Sequence, residues 1–265
     1  MRVGRSGVPV NAKDLVIIPA FNESETLPSV LADLRRVLPG IDVVVVDDGS
    51  SDDTARVAAA SPGVTVLRLP FNLGIGSALR TGFRYAVAEG YQRAVQLDAD
   101  GQHDPGEVPR LLEALDGADL VVGSRFGRGA TTYEVGHTRR GAMRVLQLAL
   151  HLLTGRRFSD TSSGFRAFDR SVLEYFAVTY PSEYMESVEV LLQATYEGFR
   201  IAEVPVRMNP RAGGRPSTLR LGLAYHYLRV LVTLFVRTSR RRPAPLAIDH
   251  DVERDAAGDD PGTGT

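Results

Sequence analysis

LVIIPAFNESETLPSVLADLRRVLPGIDVVVVDDGS, residues 15–50, decides the fold. It opens on a short continuous apolar run, LVIIPA (15–20), and closes on a second, IDVVVVDDGS (41–50), which ends in acidic residues. Between them Leu27, Val30, Leu31, Leu34 and Leu38 recur at helical spacing, which predicts a helix from about Ser24 to Leu38. Pro39-Gly40 stops it. Strand, helix and strand in that order, with both strands apolar throughout, describe a parallel pair covered by a helix.

The same rhythm continues outward. TARVAAA (54–60) reads as a helix behind the polar run Ser50 to Asp53, whose members are most simply helix caps. VTVLRLP (64–70) is a third strand, GSALRTGFRYAVAEG (76–90) a helix ending at Gly90, and RAVQLDAD (93–100) a fourth strand. PGEVPRLLEALDG (105–117) is a helix and ADLVVGSRF (118–126) a fifth strand. The predicted class is α/β, a mostly parallel sheet with helices on both faces. Such sheets bind ligands outside the carboxyl ends of their strands. Glu23, Asp48, Asp98, Asp100 and Arg125 all fall at those ends.

The second half departs from this pattern. Residues 138–154 read as an amphipathic helix with Arg139, Arg140 and Arg144 near its start. FSDTSSGFRAFDR (158–170) reads as a polar loop, 183–197 as helix, and FRIAEVPVRM (199–208) as a strand that Pro205 confines to an edge or a bulge. RAGGRPST (211–218) is a basic, glycine-rich loop. Residues 1–13 are expected to be a flexible leader and 14–217 the folded domain. Residues 218–242 are expected to form an amphipathic helix with a basic end, and the Pro-, Asp- and Gly-rich residues 243–265 a disordered tail.

LDADGQHDP (97–105) carries the strongest chemical signal. Asp98 and Asp100 stand one residue apart where an apolar strand stops, with Gln102 and His103 close behind. Hard oxygen donors in this density suit Mg²⁺ or Mn²⁺, which bind through one or two carboxylates and substrate phosphates. A polar turn after a strand is the plainer alternative. His103 fits a metal ligand, a base, or a structural hydrogen bond within its own loop. Glu23 in IPAFNES (18–24) fits either a nucleotide contact or a first-turn helix acid. One of the carboxylates of Asp47 and Asp48, where a strand meets a helix, can accept hydrogen bonds from a base or ribose. Gly74 and Gly76 precede a helix N-terminus, as in a phosphate-cradling loop, or simply allow a tight turn. Arg125, Arg166, Arg211 and Arg215 lie in loops beside glycines, and expulsion of a diphosphate needs such cations.

Taken together, these motifs resemble the family 2 glycosyltransferases of GT-A fold, and within them the dolichyl- and polyprenyl-phosphate sugar synthases. The resemblance runs from about Leu15 to Thr218 through IPAFNE, VVDDGSSDDT, NLGIGSALRTGF, DADGQH, GSRF, SSGFR and the EVPV…GGRPS tail. It implies a nucleotide-sugar donor, GDP- or UDP-linked, and a polyprenyl phosphate acceptor. It implies that Asp98, Asp100 and Gln102 hold Mg²⁺ or Mn²⁺. Pro19, Ala20, Phe21, Glu23, Asp47, Asp48, Gly76, Ala99 and Arg215 would line the nucleotide sugar, and Arg125 and Arg166 would face phosphates. A hydroxyl acceptor and a non-catalytic nucleotide-sugar-binding protein stay open beside it. The resemblance also implies a cytoplasmic protein at the inner face of a membrane. Where the family often has Ser-Lys in its tail, this chain reads Arg215-Pro216-Ser217-Thr218.

Composition agrees with a folded enzyme. Of 265 residues, 43% are hydrophobic and 24% charged, and the net charge of −1 supplies no field for nucleic acid. The absence of cysteine excludes disulfides and thiolate chemistry. Lys13 is the only lysine, a bias toward Arg that suits phosphate but also follows genome composition. No apolar core of a signal peptide occurs in MRVGRSGVPVNAKD. Residues 218–236 approach a membrane span in length, but Arg220, His226 and Arg229 interrupt them. Each such Arg costs about 2.5–3.5 kcal/mol at a helix centre. An interfacial helix ending in Arg240, Arg241 and Arg242 fits better, with a core helix as the alternative.

Overall fold

The computed structural model describes residues 14–126, 137–181 and 186–209, together with two short strands, β1 (Arg2–Val3) and β2 (Pro9–Val10). Those two pair antiparallel within the expected leader. The domain then runs β3 (Asp14–Ala20), α1 (Leu27–Val37), β4 (Asp42–Asp47), α2 (Thr54–Ala60), β5 (Val64–Arg68), α3 (Ile75–Ala88) and β6 (Arg93–Gln96). A 3-10 turn at Pro105–Glu107 leads into α4 (Val108–Ala114), then β7 (Leu120–Ser124) and α5 (His137–Thr154). β8 (Arg166–Asp169), α6 (Arg170–Thr179), α7 (Glu186–Tyr196) and β9 (Ile201–Pro205) complete it. The expected interfacial helix, the tail, and Arg211 and Arg215 lie outside the described residues.

Seven strands form one sheet in the order β5-β4-β3-β6-β8-β7-β9. β8 runs antiparallel to both its neighbours, and every other described pairing in this sheet is parallel. The chain builds outward from β3 to β5, then returns to lay β6 on the other side of β3. The strand order therefore reverses between β3 and β6, where a crevice opens at the carboxyl edge.

Alternation along each strand sorts the core into two layers. Leu15, Ile17, Val44, Val46, Ala94, Leu120, Val122 and Phe168 face α3, α5, α6 and α7. Val16, Ile18, Val43, Val45, Val95 and Val121 face α1, α2 and α4. Both faces are covered, which is why these strands read as unbroken apolar runs. Phe83 of α3 meets Phe168 of β8 edge-on at 4.9 Å and Tyr180 at 5.1 Å, which ties α3 to α6.

β8 corrects the sequence reading. FSDTSSGFRAFDR was expected to be all loop, yet its last residues form an inner strand of the sheet. Four residues bounded by Arg and Asp show neither an apolar run nor alternation, so neighbouring ladders, not propensity, make this strand. α6 starts directly after it, with Asp169 as the N-cap accepting from the Val172 N–H. The Asp53 cap also differs: its side chain pairs with Arg56, and Asp52 accepts the Thr54 N–H instead. Pro205 ends β9 at the sheet edge, as its missing N–H requires.

At Gly82, α3 packs tightly on the sheet. A Cβ there would come 2.5 Å from the Ile17 Cγ2. Gly→Ala in a helix ordinarily stabilises by about 1 kcal/mol, whereas overpacking a close core costs about 1–3 kcal/mol. The second term should win, so Gly82→Ala is expected to lower the urea midpoint of unfolding at unchanged slope. A midpoint equal to or above the parent would show that α3 can lift off Ile17 freely.

Candidate active site

The crevice lies between the end of β3, at Pro19 and Ala20, and the end of β6, from which Asp98 projects. Because β8 is antiparallel, its first residue, Arg166, reaches this same edge opposite Gln96. Strand ends and one strand start thus bring residues 19–23, 47–50, 96–103, 124–126 and 159–166 to one side of the sheet.

Three loops on the β3–β5 side are cross-linked. Asn22, at φ 55°, donates its N–H to the Ser50 Oγ at 2.9 Å, and its Oδ1 accepts the Ser51 N–H at 2.9 Å. Asparagine tolerates that left-handed conformation better than most residues. Glu23 donates its N–H to Thr54, and its carboxylate accepts from the Thr26 hydroxyl at 2.6 Å. Half-buried Glu23 precedes the N-cap Thr26 by three residues, outside the first turn of α1, so it is not the first-turn acid of the plainer reading, and its carboxylate is engaged by Thr26. Asp47 is fully buried, accepts the Ser50 N–H at 3.2 Å and faces Arg68 at 3.4 Å.

Asp48 fastens the glycine loop. Its two oxygens accept the N–H groups of Leu73 and Gly74 at 2.8 and 2.9 Å. Burial pushes its carboxyl up from the usual range, and these two hydrogen bonds hold it back only in part. Gly49 is required beneath this contact. Its φ is +69°, and a Cβ would lie 2.4 Å from the Phe71 carbonyl carbon. Gly74, at φ 89°, is the N-cap of α3 and is held by Asp48, while buried Gly76 lies in the first turn of that helix.

At the end of β6, Asp98 is partly exposed, and its Oδ1 is buried with no partner among the described residues. Asp100 is buried and accepts the Gln102 N–H at 3.0 Å. Ala99 between them is core. His103, also buried, accepts the Asp98 N–H on Nδ1 at 3.0 Å, and its Nε2 lies 3.6 Å from the Asp98 Oδ2. Both ring nitrogens thus face Asp98, and the structural reading of His103 is the one realised. Gly164 closes the other side: a Cβ there would sit 3.3 Å from Asp98 Oδ2 and 3.1 Å from Gln96 Nε2. An orphaned carboxylate oxygen beside a second, buried carboxylate fits a cation site completed by diphosphate and water.

The arginines are placed differently from one another. Arg125 donates through Nε and Nη2 to fully buried Asp160 at 2.7 and 2.8 Å, and to Ser162 at 2.6 Å. Burial works to raise the Asp160 carboxyl, but the Arg125 guanidinium and two N–H donors outweigh it and hold it below the usual value. Behind it, Glu203 of β9 accepts the N–H groups of Ser159 and Asp160. Arg166 is fully buried, bonds the Ser187 carbonyl at 2.7 Å, and leaves Nε and Nη1 without partners among the described residues. Asp160, Ser159 and Glu203 were missed from sequence. Asp160 sits six residues before Arg166 in a stretch that reads as loop, and only the pairing of β7 with β9 brings Glu203 to it.

Comparison with known proteins agrees with this geometry. The family model described as glycosyl transferase family 2 matches residues 15–176. The chain belongs to that family. It is similar to the polyprenol monophosphomannose synthase of Mycolicibacterium smegmatis, at 35% identity over 76% of this chain and 79% of that one. It is similar also to the undecaprenyl-phosphate mannosyltransferase of Micrococcus luteus, at 36% identity over 76% of this chain and 85% of that one. Among solved structures, glucosyl-3-phosphoglycerate synthase from Mycobacterium tuberculosis, in complex with Mg²⁺ and UDP, aligns with a TM-score of 0.66. That alignment has 26% identity over 90% of this chain and 82% of that one. The α/β sheet is thus of GT-A type, and the chain is a glycosyltransferase.

The buried Arg125–Asp160 pair carries a stability prediction. Removing one partner of such a pair costs about 3–5 kcal/mol, so Asp160→Asn should unfold well below the parent temperature at pH 7. A depressed carboxyl contributes stability above its unfolded value, about 3.9, and loses it as pH falls through the lower folded value. The gap between parent and variant should therefore hold from pH 7 to 5 and narrow below about pH 4. Melting curves across that range test it; a gap that widens on acidification would reverse the sign assigned to Asp160.

Proposed function

We propose that this glycosyltransferase moves a sugar from a nucleotide diphosphate donor to a polyprenyl phosphate, with inversion, and that it requires Mg²⁺ or Mn²⁺. The observation that carries the reading is the Asp98–Asp100 pair at the strand-order reversal, with the Asp98 Oδ1 buried and unpartnered. Asp98, Asp100 and Gln102 would hold the ion, which supplies positive charge against the leaving diphosphate. Metal-bearing structures of the M. tuberculosis relative support this, and the names of the M. smegmatis and M. luteus relatives support the lipid acceptor.

The chain's own residues divide the remaining tasks. Pro19, Ala20 and Phe21 form the β3 wall of the nucleotide site, and Asp47 and Asp48 hold the loops that frame it. Glu23 has its hydrogen bond to Thr26 to exchange for any nucleotide contact. Arg125, anchored by Asp160, offers a cation of fixed direction to an incoming phosphate. Arg166 adds buried positive charge beside the β6 end rather than a surface contact. A phosphate acceptor suits this site better than a hydroxyl. Its second pKa is near 6, so it is largely ionised at neutral pH, whereas a hydroxyl needs a general base. His103 has both nitrogens turned to Asp98 and offers none. Whether the donor is GDP- or UDP-linked is read by titrating both.

Asp98→Asn and Asp100→Asn should each abolish transfer, with melting temperatures near the parent, because one of two repelling carboxylates has been neutralised. The nucleoside diphosphate should bind the parent far more tightly with Mn²⁺ than with EDTA. Equal affinities by calorimetric titration, or near-normal transfer by either variant in chelator, would refute the metal assignment.

We further assign residues 218–242 to the membrane interface at the cytoplasmic face. Leu219, Leu221, Leu223, Leu228, Leu231, Leu234 and Phe235 supply apolar area, and Arg237, Arg240, Arg241 and Arg242 add about 1 kcal/mol each on an anionic surface. Among the described residues no helix is long and apolar enough to cross a membrane. Full-length protein should sediment with anionic liposomes at low salt and release at high salt, since screening acts over about 10 Å at 0.1 M. A chain ending at Thr218 should stay in the supernatant; equal sedimentation of both would make the helix ordinary core.

A further inference from the structure

We propose that His103 is a positioning residue, whose neutral imidazole locks Asp98 into the geometry that receives the ion. The proposal rests on the metal assignment above and deepens it. A hydrogen bond fixes the tautomer. The Asp98 main-chain N–H donates to Nδ1 at 3.0 Å, so Nδ1 carries the lone pair and the proton resides on Nε2. That Nε2–H lies 3.6 Å from Oδ2 of the same aspartate. This is longer than a hydrogen bond and close enough for a charge–dipole attraction. One ring thus holds the backbone and steers the carboxylate of a single residue, leaving the buried Oδ1 open.

The ring itself cannot drift. It is 4% exposed and stacks on Phe165 at 4.6 Å between centroids and 10° between planes. Its backbone bridges to Met208, and the Asn209 N–H donates to the neighbouring Gln102 carbonyl at 2.8 Å. Phe165 precedes Arg166 on the strand that the sequence hides, and Met208 follows β9. Three segments distant in sequence therefore meet at His103, through its ring at Phe165 and its backbone at Met208, and the polar contacts described for the ring are with Asp98. Such burial leaves no route for His103 to reach a substrate. Partners that orient a ligating carboxylate are worth about 10–100-fold in metal affinity or activity.

The two nitrogens can be separated by substitution in the full-length protein. His103→Asn places an oxygen acceptor near Nδ1 and loses the Nε2–H. His103→Gln reaches toward Nε2 and loses the acceptor for the Asp98 N–H. His103→Ala loses both. The expected order of Mn²⁺ affinity, read calorimetrically with UDP and with GDP present, is parent, then Asn, then Gln and Ala. Ala should fall about 10–100-fold below the parent, with kcat/KM following. Histidine ¹⁵N spectra of the metal-free parent supply a readout independent of any variant's folding, and should show one neutral ring protonated on Nε2. A ring protonated on Nδ1, or an Ala variant that folds and binds Mn²⁺ within twofold of the parent, would overturn the proposal. So would equal losses in Asn, Gln and Ala that merely track their melting temperatures. A parent that binds no Mn²⁺ with either nucleotide would instead sink the metal assignment itself, whatever the tautomer.

Discussion

The reversal of strand order between β3 and β6 is the constraint on which the rest of this structure depends. A right-handed crossover must carry the chain over one face to β4 and β5, then over the other side of β3 to β6. Loops leaving β3 and β6 must therefore part, and they cannot fill the space between them. Two carboxylates placed at the end of β6 stand beside an opening that the topology itself creates. Their repulsion is tolerable because one stays partly exposed, while the other accepts a hydrogen bond from its own loop.

The two walls of this opening are held by different physics. On the β3–β5 side the contacts are mostly hydrogen bonds between side chains and backbone: Asn22 with Ser50 and Ser51, Asp52 with Ser24 and Thr54, Asp48 with Leu73 and Gly74. Each contributes about 1 kcal/mol net, and together they tie the loops after β3 and β4 to the glycine loop before α3. On the β7–β9 side a buried ion pair replaces this lattice, and Glu203 reinforces it from an edge strand. An ion pair of that kind is costly to desolvate, so it earns little stability. What it gives is direction, because a guanidinium gripped through Nε and Nη2 cannot swing.

Much of this was legible in the chain. The β3–α1–β4 unit announced itself because both strands are buried on two faces and so carry no polar interruption. The Asp98–Asp100 pair was legible for the opposite reason, as charge abruptly ending an apolar run. β8 was not legible, since four residues flanked by Arg and Asp have no period of their own. With β8 hidden, the antiparallel entry that brings Gly164 and Arg166 against Asp98 was hidden too. Arg166 consequently reads as a solvated loop arginine in the sequence and is a fully buried cation in the fold. The Thr26-bound Glu23, the loop-fastening Asp48 and the engaged His103 show the same limit. Local pattern names a polar residue at a strand end, but only tertiary contacts decide whether its lone pairs are already spent.

That distinction bears on how the site divides labour. Of the polar groups that the sequence offers for chemistry, most prove to be occupied in building the opening: Glu23, Asp47, Asp48, His103 and Arg125 all have described partners. The buried oxygen left over, Asp98 Oδ1, belongs to a residue whose backbone N–H is held by His103. A site that spends its polar groups on restraint, and leaves one buried hard oxygen without a described partner, is organised to hold charge in a fixed place. It is poorly organised to move protons, because the imidazole of His103 is buried and turned to Asp98 through both nitrogens. Chemistry that separates a diphosphate from a sugar, with an acceptor already ionised, asks for the first and not the second.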